Sequence, residues 1–168
     1  MSDAIAARFE RLLREHGAAL ERLCALHARD PADRQDLLQE IAFAIWRALP
    51  TFRGESSERT FVHSIAHNRA LSHRWRQRRR DVPLDAAPEP VDPGLDPERL
   101  ADSADRRARL ERAVRALPLP LRQCVVLRLE GLRDAEIAEV VGISVGNVAV
   151  RLTRARRMLR DLLLEEEP

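Results

Sequence analysis

Apolar residues recur every three or four positions along most of this chain, with polar residues filling the other faces. That period predicts amphipathic helices rather than strands. Ile5, Phe9, Leu12, Leu13, Leu20 and Leu23 form the first stripe, predicting a helix over roughly 2–28. Asp30-Pro31 breaks it, because proline disfavours a helical conformation in the residue before it. A second helix follows over roughly 32–49, its core face carried by Leu37, Leu38, Ile41, Ile45 and Leu49. Another face of that helix carries Asp36, Gln39, Glu40, Phe43 and Arg47 at the same spacing. Periodicity alone leaves two readings of Phe43: an exposed docking residue among carboxylates, or a side chain packed on the first helix. Pro50 ends the helix, and residues 51–59 form a polar loop with Gly54 at its turn. A third helix has Phe61, Val62, Ile65, Ala66 and Leu71 apolar, and ends in His73-Arg74-Trp75-Arg76-Gln77-Arg78-Arg79-Arg80.

Residues 81–105 change character. Five prolines (Pro83, Pro88, Pro90, Pro93 and Pro97) stand among acidic residues, with Arg99 the only base. Such a segment forbids a stable helix and favours an extended chain, so 81–105 reads as an acidic linker between domains 1–80 and 106–168. In the second domain Leu110, Ala113, Val114 and Leu117 give a helix ended by Pro118, and residues 121–129 give another with Val125, Val126 and Leu129 inward. Next comes Leu132 to Arg160. Asp134 is placed to cap a short helix whose inner face is Ile137, Ala138 and Val141, and Gly142 stands where the backbone must turn left-handed. Ser144 is placed to cap a second helix with Val148 and Leu152 inward and arginines outward. Two short helices joined by such a turn make a helix-turn-helix. The fold class is therefore all-α: two small helical domains joined by a Pro-rich acidic linker, the C-terminal one containing a helix-turn-helix.

Composition adds a charge argument. Hydrophobic residues make up 45% and charged residues 33%, which suits a globular protein rather than a disordered one. The net charge is +2, yet all 29 basic residues are arginine, whose forked guanidinium suits phosphate and guanine. The run from Arg74 to Arg80 interleaves arginine with Trp75, a mixture suited to a nucleic-acid strand: arginine on phosphates, an aromatic face on bases. Cys24 and Cys124 fit no ligand spacing and are expected to be buried thiols of a cytosolic protein. No apolar run approaches the length of a membrane span and no signal peptide opens the chain. His16, His27, His63, His67 and His73 show no carboxylate-paired metal spacing, and there is no Gly-rich phosphate loop, so no metal, cofactor or catalytic residue is expected.

In order, these parts resemble the sigma-70 family of bacterial transcription initiation factors, and among them the two-domain extracytoplasmic-function group. Asp36-Leu37-Leu38-Gln39-Glu40 is similar to the core of its region 2.2. Phe52-Arg53-Gly54-Glu55-Ser56 and Ile65-Ala66-His67-Asn68 are similar to regions 2.3 and 2.4, and Ala116-Leu117-Pro118, Glu136-Ile137-Ala138, Gly142-Ile143-Ser144 and Arg154-Ala155-Arg156 to region 4. The resemblance implies a sigma factor that binds core RNA polymerase and directs initiation at promoters. Asp36, Leu37, Gln39, Glu40 and Phe43 would dock on the clamp helices of the largest subunit, and the second domain on the flap of the polymerase. Phe52, Arg53, Gly54, Glu55 and Ser56, with Asn68, would receive a base flipped from the −10 element, while Arg74, Trp75 and Arg76 hold the strand. Ser144, Val145, Gly146, Asn147, Ala149, Val150, Arg151 and Arg154 would read the −35 element in the major groove. The resemblance further implies an anti-sigma partner and a cytoplasmic protein, nucleoid-associated or held at the inner membrane by that partner.

The chain departs from the family pattern at Arg34-Gln35, Phe61, Ser72 and Asn147-Val148-Ala149-Val150. In the recognition helix, Ala149 and Val150 exchange polar contacts for methyl groups suited to thymine. The competing reading is a helix-turn-helix repressor or activator that is not a polymerase subunit. The region 2.2 face and the Arg-Trp-Arg helix distinguish the two, since such a regulator needs neither.

Overall fold

A computed structural model describes residues 2–80 and 101–165. It contains seven α-helices among the described residues: α1 (Ser2–His27), α2 (Pro31–Ala48), α3 (Glu58–Arg80), α4 (Ala101–Ala116), α5 (Leu119–Leu129), α6 (Asp134–Val141) and α7 (Val145–Glu165), plus a 3-10 turn at Leu49–Thr51. Asp30 caps α2, its side chain accepting the Asp33 N–H at 2.8 Å, and Pro31 occupies the first turn, where no amide is missed. Ser57 caps α3 by accepting the Thr60 N–H at 3.0 Å, so Glu58 and Arg59 are helical rather than part of the preceding loop. Pro118 stands ahead of α5, which begins at Leu119.

α1, α2 and α3 pack as one unit around Leu12, Leu20, Leu23, Leu37, Ile41, Ile45 and Val62. α4 to α7 form the second, around Val114, Leu117, Leu127, Leu132, Ile137, Val148 and Ala155. The units are also joined: α3 packs along α6, and α1 touches α4, so the buried residues form one continuous cluster.

Several expectations need correction. Residues 101–105 belong to α4 rather than to the linker, because a run free of proline begins at Glu98; the rest of the linker lies outside the described residues. Leu129 is 58% exposed at the end of α5, and Leu127 takes the inward position. In α6 the inner side chains are Ile137, Ala138 and Val140, while Val141 is only partly buried. Asp134 is the first residue of α6, not its cap; it pairs with Arg128, and Glu136 Oε2 accepts the Arg133 N–H at 2.8 Å instead. Both cysteines are buried free thiols, and burial pushes Cys24 up to about 12.

Candidate functional site

α2 turns Leu37, Ile41, Ala44 and Ile45 inward, which leaves Asp36, Gln39 and Phe43 outward and Glu40 half-buried. Phe43 is 62% exposed, with the Arg47 guanidinium 5.8 Å from its ring centroid. The place against α1 is taken by Trp46, whose ring lies edge-on to Phe9 at 5.2 Å. A large aromatic left uncovered among polar side chains is what the centre of a protein–protein contact requires. Leu37, expected in that contact, is fully buried in the α1–α2–α3 core and cannot touch a partner while α2 is folded.

The loop before α3 turns at Gly54, whose φ of +76° suits glycine. Phe52 lies 4.5 Å from Phe61 between ring centroids, and the Arg8 guanidinium sits 4.9 Å from the Phe52 ring. Thr51, Phe52, Arg53, Glu55, Ser56 and Phe61 line an open recess of about 400 Å³. Its stacking planes and hydrogen-bonding edges are what an extruded base needs. Asn68 does not line this recess. It lies about two turns further along α3, exposed, with its carbonyl accepting the Ser72 hydroxyl at 2.9 Å.

At the end of α3 Trp75 is 67% exposed, Arg76 is exposed and Arg74 is half-buried. His73 lies apart from this patch: it is buried, with Nε2 2.7 Å from Asp33 Oδ1. Gln77 Nε2 donates to both Asp33 carboxylate oxygens at 2.6 Å, and the Arg29 amide donates at 2.9 Å. Burial opposes ionisation of Asp33, but these hydrogen bonds outweigh it and hold the carboxyl below its usual range. The network fixes α3 against α2. Next to it Arg76 forms an ion pair with Glu40, whose other oxygen lies 3.7 Å from His73 Nδ1. A residue expected on polymerase and one expected on DNA are therefore bonded to each other.

In the helix-turn-helix, Gly142 has φ +73° and ends α6, and Ser144 Oγ accepts the Asn147 N–H at 3.2 Å to start α7. Val148 and Leu152 are buried, which sends Ser144, Val145, Gly146, Asn147, Ala149, Val150 and Arg154 to the surface together. Arg151 is the exception: it is half-buried, and its charge opposes the rise that burial imposes on the Cys124 thiol. A helix of about 10–12 Å diameter fits a major groove about 12 Å wide, and the exposed methyl groups of Val145, Ala149 and Val150 suit thymine.

The sequence reading missed the burial of His27, His63 and His67. Spacing gives no signal for it, since His63 and His67 share a turn-to-turn stripe with Arg59, and a neutral buried imidazole and an exposed one look alike in sequence.

One helical unit carries an exposed aromatic face on α2, an aromatic recess and a basic helix end, and the other carries a helix-turn-helix. The family model for sigma-70 region 2 matches residues 12–80, and that for sigma-70 region 4 matches residues 107–159. The chain is 31% identical over 160 residues to the ECF RNA polymerase sigma factor SigE of Mycolicibacterium smegmatis, covering 92% of this chain and 61% of that protein. It is 31% identical over 156 residues to SigM of Mycobacterium tuberculosis, covering 92% and 76%. It is 34% identical over 137 residues to the sigma-E factor of Escherichia coli K12, covering 76% and 72%. Among solved structures, CnrH in complex with the cytosolic domain of CnrY superposes with a TM-score of 0.72 at 24% identity over 99% of this chain and 96% of that one. The sigma factor RpoE of Bartonella quintana, in complex with the anti-sigma factor NepR, gives 0.70 at 22% over 95% and 99%. The chain belongs to the sigma-70 family, in its extracytoplasmic-function group.

Proposed function

We propose that this protein is the promoter-specificity subunit of a bacterial RNA polymerase, binding the core enzyme and directing initiation through −10 and −35 elements. The observation that carries the reading is the uncovered Asp36–Gln39–Phe43 face of α2 beside the exposed Trp75 and Arg76 of α3, in a chain that also presents a helix-turn-helix. Residues 1–80 form the polymerase and −10 unit and residues from 101 onward the −35 unit, with its flap contact. Asp36, Gln39, Glu40 and Phe43 dock on the clamp helices. The recess around Phe52 and Ser56 takes a flipped base, Asn68 contacts the strand beyond it, and Arg74, Trp75 and Arg76 follow its backbone. Val145, Asn147, Ala149 and Val150 read bases, while Arg154 holds phosphate.

The chain supplies no catalytic group of its own; the polymerase performs the chemistry. No described helix is long and apolar enough to cross a membrane, which accords with a cytoplasmic, nucleoid-associated factor held inactive by an anti-sigma protein.

Pull-down with core polymerase followed by run-off transcription tests this reading. Core binding and promoter-specific transcripts are the expected result. Duplex binding with neither would instead make the chain an operator-binding regulator.

A further inference from the structure

α3 lies between the α1–α2 unit on one side and α6 on the other. Arginines staple the two units together. Arg59 donates to the Glu130 carbonyl, Arg22 donates to both Glu130 carboxylate oxygens at 2.8 and 2.6 Å, and Arg115 donates to the Ala25 carbonyl. Buried imidazoles lie along this seam. His63, one turn beyond Arg59, is 1% exposed, and His67 and His27 are 4% and 7% exposed. The Nδ1 atoms of His27 and His63 have no hydrogen-bond partner among the described residues.

Neutral, these rings pack as flat, weakly polar surfaces; charged, all three would be buried cations, those of His27 and His63 with an unpaired Nδ1–H. His63 faces His16 on α1, Arg59 on its own helix, Glu130 in the turn after α5, and Glu136 on α6. The two carboxylates favour its charged form, but burial, His16 and Arg59 outweigh them and push it down to about 4. His27 faces Arg74, His67 and His73 on α3 and Arg122 on α5, all of which add to burial in pushing it down to about 3. His67 is pushed down to about 4 by burial.

We propose that this seam is an acid-sensitive latch, in which protonation of His63 and His67, assisted by His27, parts the two units while each stays folded. The consequence for initiation rests on the function proposed above. Promoter elements centred 25 positions apart lie ~85 Å apart along B-DNA at about 3.4 Å per base pair, whereas a compact chain of this length has a radius of gyration of about 15 Å. The closed form cannot read both elements at once, so opening raises the population that can.

Once exposed, each imidazole regains an ordinary value near 6.5. Lowering pH from 7.5 to 5.5 therefore multiplies the open-to-closed ratio about tenfold per histidine, and about 100-fold for His63 and His67 together. Small-angle X-ray scattering of the full chain across this range, with far-UV circular dichroism on the same samples, reads it directly. The radius of gyration rises as pH falls, helicity holds, and the His63→Leu/His67→Leu variant stays compact at pH 5.5. Should that variant not fold, Arg22→Ala/Arg115→Ala, which removes two staples and leaves Arg59 beside His63, opens at a higher pH than the parent. A radius unchanged by pH, expansion accompanied by loss of helix, equal expansion of the leucine variant, or an unshifted midpoint in the staple variant overturns the latch. None of these measurements involves polymerase, so their failure leaves the pull-down result standing.

Discussion

Leu37 and Phe43 sit less than two turns apart on α2 and meet opposite fates: the leucine is sealed in the core, and the phenylalanine stands in solvent. Leu37→Ala should therefore lower unfolding free energy by about 2–5 kcal/mol through the cavity it leaves. Phe43→Ala should change stability by less than about 0.5 kcal/mol yet weaken core-polymerase binding by about 30-fold, as loss of a 2 kcal/mol anchor does. Urea denaturation and a polymerase affinity measurement on both variants separate the two roles; a Phe43→Ala protein that binds normally would remove α2 from the interface. On the DNA side Arg154 is exposed while Arg151 is half-buried. Arg154→Ala should accordingly reduce the salt slope of duplex binding by about one, and Arg151→Ala should change it less. The inward position of Leu37 was legible from spacing. The exposure of Phe43 was not, because a three-to-four-residue period assigns a face without saying whether another helix covers it.

At the scale of elements, the helix-turn-helix depends on a few backbone-directed residues. Gly142 holds a left-handed conformation with open space around it, so Gly142→Ala should cost about 1 kcal/mol in backbone strain alone. Ser144→Ala should cost a similar ~1 kcal/mol as a lost cap. Both should lower Tm and loosen −35 binding while leaving core binding intact. α2 and α3 are coupled through Glu40 and Arg76. Glu40→Ala frees the Arg76 guanidinium and is expected to strengthen single-stranded DNA binding by the isolated protein several-fold, as removal of a partly exposed ion-pair partner does, while weakening core binding. Fluorescence anisotropy with a −10 oligonucleotide measures the first effect, and an unchanged affinity would exclude the pairing as a restraint. The helices and the Ser144 cap of α7 followed from local signals, whereas the cap expected of Asp134 did not form. There Glu136 reaches back to the Arg133 amide, a geometry that competes with Asp134 and is decided by which side chain the preceding turn leaves free.

For the molecule as a whole, stability should fall with acid in two stages. His27, His63 and His67 are neutral when folded and take up protons near pH 6.5 when unfolded, so their contribution is full above that pH and declines as pH falls toward 4. Glu58 is held below its usual range mainly by the hydrogen bond from Arg11, and Asp33 by the network described above. Their contributions are full above the ordinary carboxylate range and are lost as pH falls beneath it. Urea denaturation from pH 8 to pH 3 at constant ionic strength should show stability already declining between 6.5 and 5; a flat profile there would mean that the histidines are hydrated.

The sequence by itself determined the helices, the chain order of polar α2 face, basic helix and helix-turn-helix, and the family. Each is written in local spacing, in caps and breakers, or in short runs of side-chain chemistry. Tertiary structure decided what those runs touch. It buried His73 beneath Asp33, joined Glu40 to Arg76, kept Asn68 away from the recess around Phe52, and closed α3 against α6. Those outcomes depend on contacts between residues tens of positions apart, whose formation rests on how whole helix faces fit, and no local period encodes that fit.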